Sequence, residues 1–341
     1  MTEQQAEDKK EGFDYNSAFQ INLGILSKDE QEKLRQAMVA IVGTGGGGGI
    51  MAIVLARSGI ANFILVDPDV YSESNINRQI GCFIDTLGKY KSEVIKGEIL
   101  RINPEANVTA YTKILSLEEL GEVIDNCDIY ASEADDLAYS SYSMVLAQQK
   151  KKFTITYMPS GLTGYILAIP PDLTYIIDPT DLFGGPKCLP YEELNDFLTN
   201  SECRGGRRWH IMQGKMRIEW FKKWCRGETT LTQLCPSVWA GASLACIEII
   251  KYLTGKWKPV TPPEMWQLEL GDNRIRAAKF RRRTWLFCKF IYWAFNIKWL
   301  GIGERVRRYT AQALEKDLNK IQKQEEEGKE VKIPFMWRHI I

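Results

Sequence analysis

The segment that most constrains this chain begins at Met38. The short apolar run MVAIV (Met38–Val42) breaks at once into a glycine cluster, Gly43 to Gly49 with Thr44 inside it. Ile50 to Ser58 then carries a helical pattern that ends at Gly59. A β-branched apolar run of this length reads as a buried strand. A strand that turns abruptly into a helix needs residues without a Cβ that tolerate positive φ. Gly43, Gly45 and Gly48 keep the G-x-G-x-x-G spacing, with Gly46 adding freedom between them. Such a turn lets backbone approach a polyphosphate and offers it the unpaired N–H groups of a helix N-terminus. A second apolar strand, Phe63–Val66, delivers Asp67, about twenty residues past the last of those glycines, the spacing that suits a ribose hydroxyl. Glycine-rich turns also arise for packing alone; the strand before, the helix after and the acidic partner favour a nucleotide.

The rest of the chain sets the class. Its 341 residues are 45% hydrophobic, enough for one large domain or two coupled ones. A net charge of +1 gives no global attraction to nucleic acid or membrane. Eight cysteines without a secretory pattern read as reduced cytoplasmic thiols. The first dozen residues are polar and read as disordered. The aromatic stretch Trp285–Ile302 is short for a membrane span and is interrupted by Lys289 and Lys298, so packing against protein is the better reading.

Strand and helix patterns alternate along the first half. Ser27 opens a helix, and Asp67 leads into a polar loop, Pro68–Gln79, at a carboxyl strand edge, where open α/β sheets bind ligands. Arg78 in that loop is either a solvated charge or a phosphate clamp; its place beside the glycine turn favours the clamp. A helix follows from Lys91 to Asn103, then a strand over Val108–Tyr111 and a helix over Ser116–Asp125. A fourth strand over Cys127–Ala131 runs into Ser132-Glu133-Ala134-Asp135-Asp136. Asp135 can serve Mg²⁺ as a hard oxygen ligand, or can cap the helix that follows. Phe153–Tyr157 is a fifth strand and Gly161–Pro170 an added antiparallel one. These patterns predict a Rossmann-like, mainly parallel sheet with helices on both faces, extended by antiparallel strands and by a helical C-terminal extension.

From about 178 to 234 the composition changes, and this crossover is the candidate substrate-facing segment. Cys235-Pro236 opens a helix that ends at Gly255, with small residues Ala240, Gly241, Ala242 and Ala245 for close packing. Two closing strands follow at Met265–Glu269 and Arg274–Phe280, then the aromatic stretch and a charged helix over Glu304–Lys332. The division is an N-terminal arm over 1–26, a main domain over 27–280 and an extension over 281–341.

With these pieces in order, the chain resembles the ubiquitin-activating-enzyme-like superfamily, the ThiF/MoeB/HesA adenylyltransferases. The resemblance covers roughly residues 20 to 280. It rests on VAIVGTGGGGG, VDPDVYSESNINRQ, GKYKSEVIKGEILRINP, the ASEADD strand end and CPSVWAGASLACIEIIKYLTG, in that order. It implies that the fingerprint binds ATP and not NAD. Gly43, Gly45, Gly46 and Gly48 correspond to the phosphate turn and Asp67 to the ribose ligand, with Asp69 beside it. Asn75, Arg78 and Gln79 correspond to an N-x-x-R-Q loop, Lys91 to the lysine at the α-phosphate, and Asp135 to the aspartate linked to Mg²⁺ and adenylation. Family members activate a carboxylate as an acyl-adenylate and release pyrophosphate. A carboxylate needs no base, so orientation and charge neutralisation by Arg78, Lys91, Asp135 and the helix N-terminus suffice for the chemistry.

Three departures from the family stand out. The chain has no C-x-x-C, which speaks against a structural zinc. Ile21 stands where an arginine is often donated across the dimer, with Arg35 or Arg57 as substitutes, and Ser140 stands where some members carry another arginine. No cysteine has the context of a thioester acceptor; among Cys188, Cys203, Cys225 and Cys235, Cys235 is favoured by its helix N-terminus. The resemblance implies a homodimer, with the small-residue helix from Ser237 as one contact, and a peptide or small carrier-protein substrate. Sulfur-carrier activation, a catalytically weak scaffold subunit and a NAD-dependent dehydrogenase are the alternatives.

Overall fold

The computed structural model describes residues 12–178, 190–193, 217–225, 228–279 and 301–329, with single positions at 286, 290, 293, 294 and 297. The polar N-terminus, most of the crossover with Cys188 and Cys203, most of the aromatic stretch, and His210 and His339 lie outside the described residues.

Helix α1 (Lys28–Gln36) starts on a capping box. The Ser27 side chain accepts from the Glu30 N–H, and the Glu30 carboxylate accepts from the Ser27 N–H at 2.7 Å. Strand β1 (Met38–Val42) follows, then α2 (Gly46–Arg57), β2 (Asn62–Val66), α3 (Lys91–Ile102), β3 (Asn107–Tyr111), α4 (Leu117–Asp125) and β4 (Ile129–Ser132). Helix α5 (Leu137–Gln149) leads to β5 (Phe153–Ser160) and β6 (Thr163–Ile169). After the crossover come α6 (Ile218–Cys225), α7 (Cys235–Thr254), β7 (Glu264–Glu269), β8 (Arg274–Lys279) and α8 (Ile302–Glu326).

All eight strands form one sheet, ordered β3-β2-β1-β4-β5-β6-β7-β8. The first five are parallel, and β6, β7 and β8 add antiparallel strands at one side. The expected architecture therefore holds. Its reason shows in β1, where Val39 and Ile41 enter one apolar cluster with α2, α3 and α7, while Ala40 and Val42 enter another with α4 and α5. A strand buried on both faces reads as a continuous apolar run, not an alternating one.

Four details differ from the sequence reading. Helix α2 begins at Gly46, four residues before Ile50. Glycine has low helix propensity, but here burial decides: a Cβ on Gly48 would collide with the Gly43 carbonyl, so only glycine lets the helix start this close to β1. Strand β4 starts at Ile129 because Cys127 lies in the turn that ends α4, and Asp128 turns its carboxylate to the Met38 N–H at 2.8 Å. Asp136, not Asp135, caps α5, accepting from the Tyr139 N–H at 2.8 Å. The small face of α7, one expected dimer contact, is largely used within the chain: Gly241, Ala242 and Ala245 are buried, and the Tyr157 ring lies against Gly241. Gly255 ends α7 in the left-handed conformation, φ +67°, as its position predicts.

Candidate active site at the β1–β4 switch point

The sheet order reverses between β1 and β4, so the loops leaving their carboxyl ends diverge and open a crevice. Gly43 leaves β1 at φ +96°, and a side chain there would strike the Glu133 backbone that leaves β4. Its N–H donates to the Val66 carbonyl at 2.8 Å, while the Glu133 N–H donates to the Val42 carbonyl at 2.7 Å. The turn is thereby stitched to both neighbouring strands before α2 begins.

Asp67, at the end of β2, is almost wholly buried. Its Oδ2 accepts from the Thr44 N–H at 2.7 Å and from the Thr44 hydroxyl at 3.2 Å, and its Oδ1 accepts from the Asp69 N–H at 3.0 Å. Asp67 thus braces the glycine turn as well as facing the crevice. Burial pushes its carboxyl above the usual range, partly offset by the nearby Lys91 ammonium. Lys91, the first residue of α3, is itself buried and pairs with Asp69 at 2.9 Å, while its N–H donates to the Asp69 carbonyl at 3.0 Å. Asp67, Asp69 and Lys91 therefore form one charged group at the β2 end of the crevice.

The loop over Ser72–Gln79 supplies the other half. Asn75 shapes it locally, accepting from the Ser72 N–H at 3.1 Å. Arg78 and Gln79 reach the glycine turn: a Cβ built on Gly46 would stand 3.7 Å from Arg78 Cγ, and one built on Gly45 would stand 3.5 Å from Gln79 Nε2. The Arg78 Nη1 donates to the Ser74 carbonyl at 3.0 Å and to Asn77 Oδ1 at 2.8 Å. Burial disfavours the charged guanidinium, and Asp135 opposes that effect by its proximity. Arg78 Nε and Gln79 Oε1 are buried and have no partner among the described residues. Unsatisfied buried polar atoms cost free energy, and here they sit at the mouth of an open helix N-terminus.

The structure so gathers Gly43, Gly45, Gly46, Gly48, Asp67, Asp69, Asn75, Arg78, Gln79, Lys91 and Asp135 along one edge. Asp135 is exposed and caps nothing. Among the described residues no group of three or more His, Cys, Asp or Glu is placed to hold a metal ion. Cys235 opens α7 and is partly buried. Arg35 is committed elsewhere in its own chain, stacked on the Tyr15 ring and paired with Glu105. Ile21 is 88% exposed on the turn Gln20–Gly24.

Sequence reasoning passed over Glu133. Its Oε1 accepts from the Tyr157 N–H at 2.7 Å, and its Oε2 lies where any side chain on Gly47 would have to go. Burial, with Asp135 adding to it, pushes this carboxyl up to about 8. The signal was present: Ile129 and Ala131 face α2, and period two puts Glu133 on the same side. Asn77, Gln233 and Trp239 were also missed. The Asn77 amide donates to the Gln233 carbonyl at 3.1 Å, and Trp239 Nε1 donates to the Arg78 carbonyl at 2.8 Å.

The fold and this edge define a doubly wound α/β domain with a glycine turn and an acidic strand end at its switch point. The family model for the ThiF family matches residues 18–286, and the chain belongs to that family. It is 31% identical over 131 residues to the tRNA threonylcarbamoyladenosine dehydratase of Haemophilus influenzae, covering 38% of this chain and 50% of the relative. It is 28% identical over 152 residues to the sulfur carrier protein ThiS adenylyltransferase of Escherichia coli, covering 45% and 61%. The chain thus spans about half the length of the curated relatives it matches. Among solved structures, E. coli MccB in complex with AMPCPP and MccA matches with a TM-score of 0.54 at 23% identity, covering 74% of this chain and 66% of that one. That likeness shows a shared fold. Among the described residues no helix is long and apolar enough to cross a membrane.

Proposed function

We propose that this chain is an ATP-dependent adenylyltransferase that activates a carboxylate of a peptide or small protein. One observation carries the reading: Arg78 Nε and Gln79 Oε1, both buried and unpartnered among the described residues, are held against the open N-terminus of α2. A nucleoside triphosphate fits that need: its phosphates accept from the Arg78 guanidinium and from the free N–H groups of Gly46, Gly47 and Gly48, which the helix dipole favours, and its hydroxyl or amino groups can donate to Gln79 Oε1. Asp67 offers its carboxylate to a ribose, Lys91 neutralises charge near the α-phosphate, and Asp135 would supply Mg²⁺ with an oxygen ligand. The attacking carboxylate oxygen bonds to the α-phosphorus as the bond to the departing pyrophosphate breaks. No proton has to move, so the work is alignment and charge neutralisation.

The family membership and the relative named an adenylyltransferase support this reading. The MccB complex, which holds AMPCPP together with MccA, supports a polypeptide-activating direction such as peptide natural-product maturation. Activation of a sulfur-carrier protein is the second reading, favoured by the ThiS adenylyltransferase relative. Residues 27–280 would form the adenylating unit. A homodimer is proposed with it, supported by Ile21 and Ile25, 88% and 65% exposed on and beside one turn. The test is ATP–pyrophosphate exchange with candidate carboxylate acceptors. Exchange that depends on an acceptor is expected. No exchange with any acceptor, and no rise in melting temperature with ATP, would leave a scaffold subunit.

A further inference from the structure

Residues Thr232 and Gln233 come back beside the arginine loop. The Gly161 N–H donates to the Thr232 carbonyl at 2.9 Å, and Gly161 and Gln233 form a β-bridge. Ser237 then donates to the Gly161 carbonyl at 2.6 Å, which fixes the start of α7 to the same point. From this anchored end two bonds reach across to the loop, from Asn77 to the Gln233 carbonyl and from Trp239 to the Arg78 carbonyl. A Cβ built on Gly46 would stand 3.7 Å from both Gln233 Oε1 and Arg78 Cγ, so the returning strand and the arginine meet over the glycine turn.

Asn77 is the joint. Its Oδ1 holds Arg78 Nη1 at 2.8 Å while its amide N–H holds the Gln233 carbonyl at 3.1 Å. One planar amide thus fixes the guanidinium to the end of the crossover. An arginine on a loop of this kind has many rotamers, and ordering it costs free energy that a bound phosphate must otherwise supply. We propose that Asn77 is a positioning residue that preorganises Arg78 for phosphate, and that the end of the crossover at Gln233 and the start of α7 at Trp239 are the fixed support it works from. This rests on the nucleotide reading of the site.

The test is a double-mutant cycle on ATP binding with Mg²⁺, followed by calorimetry on the full chain. Asn77→Ala should weaken binding about tenfold, the scale of one charge-assisted contact. In an Arg78→Ala background the same change should cost under about twofold, because Asn77 then has nothing to position. Trp239→Phe, which keeps an aromatic ring but removes the indole N–H donor, should show the same loss of effect in that background. Ligand-free melting of Asn77→Ala should stay within about 2 °C of wild type, since the residue is exposed. Equal losses in both backgrounds, with wild-type binding intact, would overturn the positioning role alone. A wild-type chain with no affinity for ATP would overturn the nucleotide reading, and this proposal with it.

Discussion

Glu133 makes the stability of this protein depend on pH in a direction opposite to most carboxylates. Its folded-state pKa is raised from the ordinary 4.5 to about 8, with burial the leading cause. The unfolded chain ionises Glu133 near 4.5, whereas the folded chain keeps it protonated until about 8. Between those values the folded state binds one more proton, so stability falls as pH rises. The contribution is full below about pH 4.5 and gone once pH passes the folded value. A gap of about 3.5 pH units, at about 1.4 kcal/mol each, sets a ceiling near 5 kcal/mol. The side chain is only partly covered, so about 2–3 kcal/mol is the expected size. Glu133→Gln removes the titration while keeping an oxygen to accept from the Tyr157 N–H. Urea unfolding of both proteins at pH 5, 7 and 9, without nucleotide, should show wild type losing that much relative to the variant. All other titrating groups are shared and cancel. Unfolding midpoints that run parallel across the range would refute the argument. A neutral Glu133 also matters to the site, because it places no full negative charge beside a turn proposed to take phosphates.

Three further outcomes follow from the same geometry. Arg78→Lys replaces a fork by a point charge and should weaken ATP binding about tenfold, measured by calorimetry, with ligand-free melting unchanged. Lys91→Ala removes the cation that offsets burial of Asp67 and leaves Asp69 unpaired, so acceptor-dependent exchange should fall at least about a hundredfold if the lysine neutralises charge in the transition state. Gly241→Ala drives a methyl into the Tyr157 ring and should destabilise the protein by about 1–3 kcal/mol, read as a lower urea midpoint with little change in exchange per folded molecule.

What the sequence disclosed, and what it withheld, divides by range along the chain. The glycine turn, the doubly apolar strands and the acid at the end of β2 are local signals, since each is written in consecutive residues whose pattern follows strand or helix period. Asp135 and Asp136 were harder. Both are acids before a helix, and only the extended backbone at Asp136 and its bond to Tyr139 decide which one caps. That decision leaves Asp135 free to face Arg78. The start of α2 went astray because propensity was weighed without the packing that overrides it at Gly48. The contacts that complete the site are of another kind. Asn77 and Gln233 are 156 residues apart, and Arg78 and Trp239 are 161 apart, so no periodicity links them. They meet because α7 packs on α2, which sets Gln233 and Trp239 beside the glycine turn that joins β1 to α2. A crossover whose middle carries weak pattern therefore has a strongly determined end. Its end is tied to the loop that carries Arg78 by the Asn77–Gln233 bond, and the start of α7 by the Trp239–Arg78 bond, so the proposed orientation of Arg78 depends on where the chain re-enters the fold.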